Sequence, residues 1–244
     1  MEHVSENGRQ KMQLAENSRR LFGIKQAIRC TSLKFHAGQM IFEEGQRANR
    51  WYEVLHGTVR TCRFHIDGSR HLTGFYFAGD VFGADYGQYG AAAEAVTDVD
   101  VLCYRVGDFS SGPGAPPPED GKLSILFRAI NCAQRYQYIM GHRTAHERLA
   151  AFLLCLKQQE GRSSFIRLPM SRSDIADFLG LTIHTVSRTF TELARRELIK
   201  IDGRNGVFIL DHRGLCDLAG EEDGGVPPAI GGDSDDYPGA LSAA

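Results

Sequence analysis

Between residues 183 and 195 the chain reads IHTVSRTFTELAR, in which Val186, Phe190 and Leu193 recur at helical spacing. With that stripe turned inward, His184, Thr185, Ser187, Arg188 and Thr191 share the outer face near the helix start. Such a set can form hydrogen bonds to an ordered array of partners. Arg188 carries a planar fork that can donate twice to guanine O6 and N7, a contact worth about 1 to 3 kcal/mol of discrimination. Ser187 can touch a thymine methyl or donate to a base edge, and His184 can donate or bridge through water. Arg172, Thr182, Thr185, Arg195 and Arg204 are candidates to hold phosphates, which fixes register without reading sequence. An ordinary solvated side chain is the plain alternative for each of these five.

A reading helix needs a partner that holds it out from the body of the protein. In MSRSDIADFLGLTIHTVSRTFTELARRELI, residues 170 to 199, Ile175, Phe178 and Leu179 give the preceding run an apolar face of its own. Ser173 with Asp174 behind it reads as the start of that first helix, Gly180 as its left-handed stop and Thr182 as the N-cap of the second. Two short helices joined through a glycine make a helix-turn-helix, whose second helix can lie in a DNA major groove. The following LIKIDGRNGVFIL predicts two short strands around DGRNG, a hairpin wing.

Upstream, from about Leu33 to Val106, short alternating strands are punctuated by Gly38, Gly45, Gly57, Gly68, Gly79 and Gly83 at near-regular spacing. That pattern predicts an antiparallel barrel or jelly roll, with IDGSR as a hairpin turn. A Pro/Gly loop, SSGPGAPPPEDG, closes it. A long helix, broken near Gly141, fits the next stretch, with Leu123, Leu126, Phe127 and Ile130 and then Leu149, Phe152, Leu153 and Leu156 as its apolar positions. The stripe needs a cover, either the same helix of a second chain or the chain's own barrel. The expected fold is α+β: an N-terminal antiparallel β-roll, a long dimerisation helix and a C-terminal winged helix-turn-helix. The segments are 1–25 (N-terminal extension), 26–120 (β-roll), 121–160 (dimerisation helix and hinge), 161–216 (winged helix-turn-helix) and 217–244 (acidic tail).

Composition narrows the function classes. The net charge of −2 is a tail property, because residues 217–244 carry seven acidic groups and no Lys or Arg, leaving +5 on residues 1–216. Rich in Gly, Pro and Asp, the tail is expected to be disordered and solvated rather than a DNA mimic. No apolar run approaches a membrane span and the start MEHVSENGRQ has no signal-peptide core, which predicts a soluble, cytoplasmic protein. The six cysteines form no CxxC pair, so neither a disulfide framework nor a zinc knuckle is expected. A metalloenzyme on a jelly roll would want His-x-His and Glu ligands, and the barrel stretch contains no His-x-His. An unregulated architectural DNA binder would leave the barrel without a role.

With the glycines of EEGQ, LHGTVR, DGSR and FAGDVFG in this order, followed by HRTAHERLAAFLL and LPMSRSDIADFLGLTIHTVSRTFTELARRELI, the sequence resembles the CRP/FNR family of dimeric bacterial transcription regulators over roughly residues 25 to 215. The resemblance implies a homodimer on palindromic promoter DNA, working with RNA polymerase and mainly as an activator. Arg188 matches the arginine of the family's SR pair, whereas His184 stands where many relatives carry glutamate. Cyclic-nucleotide binders of the family carry a ribose-gripping glutamate and an Arg-Ser pair; here Ala84 replaces the glutamate and YGAAAEA has no such pair, so no cyclic nucleotide is expected. Iron-sulfur members need a cysteine cluster, but before the barrel only Cys30 accompanies Cys103, which reads as a core strand residue. For heme, His36, His56, His65 and His71 are available and none is singled out by spacing. What remains resembles the FixK-like branch, expected to be without cofactor or catalytic activity. Its members recognise an inverted repeat, TTGAT spaced from ATCAA, at genes for microaerobic respiration, denitrification or nitrogen fixation. The alternatives are a regulator gated by an unidentified small ligand or heme in the β-roll and, further off, a cupin-like metalloprotein.

Overall fold

The computed structural model describes residues 30–64, 68, 70–105, 120–159 and 163–220, with backbone alone at 120–124. Eight strands come first: β1 (Cys30–Phe35), β2 (Met40–Phe42), β3 (Arg50–His56), β4 (Val59–Phe64), β5 (Arg70–Tyr76), β6 (Val81–Phe82), β7 (Ala92–Ala95) and β8 (Val99–Arg105). They make two antiparallel sheets, ordered β1-β8-β3-β6 and β2-β7-β4-β5. The six glycines expected to punctuate the strands all take positive φ. Most of the expected IDGSR turn lies outside the described residues, as do residues 1–25, but β4 and β5 pair antiparallel on either side of it.

Side-chain alternation shows how the roll is covered. Val99, Val101 and Cys103 of β8 enter the core between the sheets, while Leu102 and Tyr104 join Val81 and Ile125 in a cluster on the outer face. Ile125 belongs to α1 (Asp120–Gly141), which therefore lies against its own β-roll. Two ion pairs on the same helix face, one buried and one partly buried, hold it there: Arg128 donates to Glu53 at 2.6 Å and Arg135 to Asp80 at 2.7 Å. On its other side Leu126, Phe127 and Ile130 are 42, 49 and 43% exposed, side by side as one apolar patch. The two covers considered for this helix thus fall on two faces: the barrel takes one, and the expected apolar stripe stays open. Of the stripe, the Leu123 side chain is outside the described residues.

The helix does break at Gly141. After residues 142–144, α2 (Ala145–Gln159) is buried at every position from Leu149 to Leu156. Its apolar residues, placed on the dimerisation helix from sequence, are instead covered by the chain's own head and barrel. A helix apolar all round is a core element, and the sequence spacing alone cannot tell which surface covers it.

The head comprises α2, β9 (Phe165–Arg167), α3 (Arg172–Leu179), α4 (Ile183–Arg195), β10 (Ile199–Asp202), β11 (Gly206–Ile209) and α5 (His212–Ala219), with a three-stranded sheet β10-β11-β9 as the wing. The start of α3 corrects the expectation of Ser173. Ser171 is the N-cap, its hydroxyl accepting from the Asp174 amide at 3.0 Å while Asp174 Oδ2 accepts from the Ser171 amide at 3.1 Å. A capping box needs its acid three residues on, and only Ser171 has one there. Gly180 closes α3 at φ 64, as expected.

Helix α5 also corrects the expected tail, whose first residues 217–219 are helical; beyond 220 the tail lies outside the described residues. Leu215, Cys216 and Ala219 are buried against the head, and Asp211 caps the helix by accepting from the Gly214 amide. A Cβ on Gly214 would lie 2.4 Å from the capping Asp211 carboxylate and 2.7 Å from the Leu198 side chain, so a larger residue there would displace the cap or Leu198.

Phe190 and Leu193 of α4 lie in one core with Ile175, Phe178 and Leu179 of α3. Phe190→Ala should cost about 3 to 5 kcal/mol, read as a lowered urea midpoint. Asp174 should tie stability to acid. Burial pushes its carboxyl up, but the Ser171 hydroxyl and the Arg60 guanidinium outweigh this and hold it below its usual value of 3.8. Its contribution is therefore complete above that value and disappears as pH falls through the lowered one. The Asp174→Asn chain should lack this part of the acid transition in a pH series of melting curves.

Candidate nucleic-acid interface

The recognition surface is built from the cap outward. Thr182 is the N-cap of α4, its hydroxyl accepting from the Thr185 amide at 3.1 Å, and the two threonine hydroxyls lie 2.9 Å apart. Val186, Thr189, Phe190 and Leu193 are buried, with the Thr189 hydroxyl donating to the Thr185 carbonyl at 2.8 Å. The inward stripe leaves His184, Ser187, Arg188, Thr191 and Arg195 exposed along one face, three and four residues apart. Ile183 joins them as an exposed apolar residue at the first turn, which the stripe analysis did not single out.

Arg188 has 73% of its side chain exposed, and its Nε lies 3.7 Å from Glu192 Oε1. That spacing is a loose ion pair rather than a hydrogen bond, so the fork is not consumed. Glu192 is itself engaged by His146 Nε2 at the start of α2. The ring of His146 holds the Glu192 carboxyl below its usual range, and Arg188 adds to the effect. This contact across 46 residues had no sequence signal.

The candidate phosphate contacts are not all in one place. Thr182 and Thr185 sit at the N-terminus of α4, where unpaired amides favour an anion. Arg195 is exposed in the last turn of the helix, and Arg204 is exposed on the turn between β10 and β11. Arg172 is set apart. Its guanidinium carbon lies 3.4 Å from the centroid of the Phe190 ring, and Nη1 is buried without a hydrogen-bond partner among the described residues. Burial pulls its pKa down to about 10. The ring of Phe190 thus holds Arg172 by a cation–π contact away from the exposed face.

Inside the β-roll, aromatic rings pack on one another, two of the pairs stacked and one tilted. Phe42 and Tyr89 have centroids 3.7 Å apart, Tyr52 and Phe82 5.2 Å, and Tyr76 and Phe82 5.4 Å. Cys103 belongs to this core, and burial pushes its thiol up. His36 is exposed beside Asp98, and His56 is exposed at the end of β3; His65 is outside the described residues. Among the described residues no three His, Cys, Asp or Glu side chains are grouped as a metal ion would need. Nor is any described helix long and apolar enough to cross a membrane.

Comparison with known proteins agrees with this architecture. A Crp-like helix-turn-helix domain model matches residues 147–218, and a cyclic nucleotide-binding domain model matches residues 32–111. The nitrogen fixation regulation protein FixK of Bradyrhizobium diazoefficiens is 36% identical over 183 residues, covering 72% of this chain and 77% of the relative. The transcriptional activatory protein AadR of Rhodopseudomonas palustris is 35% identical over 193 residues, covering 77% of this chain and 80% of the relative. The solved structure of FixK2 from Bradyrhizobium japonicum superposes with a TM-score of 0.69 at 28% identity, over 80% of this chain and 98% of that one. With two family models in the order of the observed barrel and head, and these relatives spanning both, the chain belongs to the CRP/FNR family of bacterial transcription regulators, in its FixK-like branch.

Proposed function

We propose that this regulator acts as a homodimer on FNR/FixK-type inverted repeats, reading each half-site with His184, Ser187 and Arg188. It recruits RNA polymerase, mainly as an activator, at genes for microaerobic or anaerobic respiration, denitrification or nitrogen fixation. The observation that carries this reading is the exposed face of α4, where an unconsumed arginine fork stands beside a serine and a histidine on a helix held rigidly from behind. The relatives' printed roles in nitrogen fixation and activation support the choice of genes.

Dimerisation is supported by Leu126, Phe127 and Ile130, which stand open on the side of α1 away from the barrel. Operation without a cyclic nucleotide is supported by Ala84, which follows the buried Phe82 and Gly83 where the nucleotide binders of the family carry a glutamate. Thr182, Thr185, Arg195 and Arg204 supply the phosphate contacts of this reading; Arg172 would join them only by leaving Phe190.

Purified protein, with no ligand added, should bind a duplex carrying TTGAT and ATCAA half-sites in preference to a scrambled one at fixed salt. Arg188→Ala should keep the circular dichroism and melting of the parent while losing discrimination by about 1 to 3 kcal/mol per half-site. Unchanged preference would remove Arg188 from base reading. Phe127→Glu should shift the protein from dimer to monomer in sedimentation and abolish tight binding to the paired site; a dimer that persists would overturn the proposed interface.

A further inference from the structure

Two heads can occupy two half-sites at once only if the frame carrying each recognition helix is held in place. We propose that Arg60 and Arg70 of the β-roll, with Asp174 and Asp177 of α3, form a polar latch. The latch orients the head on the barrel and so determines which half-site spacing the dimer accepts. The proposal rests on the homodimeric reading above and identifies positioning residues, none of which touches DNA in that reading.

The latch joins one hairpin of the barrel to α3, the first helix of the helix-turn-helix. Asp174 Oδ1 accepts from Arg60 Nη1 at 2.9 Å and from Arg70 Nη2 at 2.6 Å, and Asp177 Oδ2 accepts from the same Arg70 nitrogen at 2.7 Å. Arg60 is held from behind, since its Nε and Nη2 donate to Glu94 on the neighbouring strand β7 at 3.3 and 2.8 Å. Asp174, 5% exposed, has its second oxygen taken by the amide and hydroxyl of Ser171. Neither Arg60 nor Asp174 can turn away without abandoning a second partner. Asp174 and Asp177 lie one turn apart on one face of α3, so the single Arg70 nitrogen that touches both opposes rotation of the helix about its axis.

Beneath the latch lies an apolar contact. Phe178 of α3 packs on Phe75 of β5, Phe152 of α2 and Tyr136 of α1, with ring centroids 5.0, 5.6 and 5.3 Å apart. Apolar burial is non-directional and tolerates sliding and rocking. Charge-assisted forks are directional. The rings therefore act as a pivot, and the ion cluster as the stop that selects one orientation. Stability is a poor reason for such a cluster, because the partial desolvation of these groups, with Arg70 and Asp177 still 26 and 30% exposed, offsets much of their mutual attraction; a geometric role suits it better.

The orientation of α3 passes directly to α4. The helices are joined through Gly180, Leu181 and Thr182 and share a core, so they move as one body. Arg148 of α2 ties that body to the end of α1, donating to the His142 carbonyl at 2.9 Å and to the Leu179 carbonyl at 3.0 Å. Adding one base pair between half-sites rotates one relative to the other by roughly 35°. A latched head cannot follow such a rotation, whereas an unlatched one rocking on the Phe178 pivot can.

The test uses the full chain and duplexes in which the spacer between TTGAT and ATCAA is varied one base pair at a time, beside a duplex with a single half-site. The parent should lose affinity about tenfold or more on a one-base-pair change from its best spacing, because the second head can no longer engage. Arg70→Gln and Asp177→Asn should each flatten that spacer profile while leaving single-half-site affinity and melting temperature near the parent's. Asp177→Asn is nearly isosteric and outside the capping box, so it keeps the test valid if Arg70→Gln disturbs folding. A spacer profile in Asp177→Asn as sharp as the parent's would overturn the latch. A parent that prefers no paired duplex over the single half-site would overturn the dimeric reading, and the latch with it.

Discussion

The buried run of α2 from Leu149 to Leu156 is the contact on which the rest of the molecule depends. It lies in one apolar cluster with Cys62, Leu72 and Phe75 of the β-roll, Ile139 of α1, and the inner faces of α3, α4, α5 and the wing. A helix covered on all sides by different elements transmits their positions to one another, because close-packed interiors do not deform smoothly. The barrel, the open helix α1 and helix α4 therefore have defined relative placements.

Onto this apolar frame the chain adds charge in opposed pairs and one larger cluster. Glu53 with Arg128 and Asp80 with Arg135 pin α1 to the barrel, and Tyr104 also donates to Glu53, at 2.6 Å. Arg60, Arg70, Asp174 and Asp177 bind barrel to head, and His146 meets Glu192 beside the exposed face of α4. Each such group gives up hydration that its partner must restore, so their value lies in direction more than in net stabilisation. Arg188 is treated differently. It stands on the surface with only a loose partner, which leaves its donors open to solvent.

The winged helix-turn-helix was legible because local rules were strong there. The stripe of Val186, Phe190 and Leu193, the αL glycine at 180 and the Thr182 cap all act within a few residues of one another, and the structure has each of them where the spacing predicts. The punctuating glycines of the barrel were legible for the same reason, as turns with positive φ exclude most other residues. Less was visible where two local patterns competed. Ser173 looked like a cap until the reciprocal geometry of Ser171 and Asp174 decided the matter, and α5 was hidden because Gly214 is a poor helix former.

By itself, then, the sequence determined the order of the elements, the inward and outward faces of α3 and α4, and the side chains exposed along α4, since periodicity and capping are properties of neighbouring residues. Only the tertiary structure decided that α2 is covered by its own chain, that Arg172 lies on Phe190, and that Arg60 and Arg70 reach Asp174 across more than a hundred residues. Those outcomes depend on which surfaces meet when separate elements pack. A pattern along the chain records that a face must be buried, and packing alone chooses what buries it.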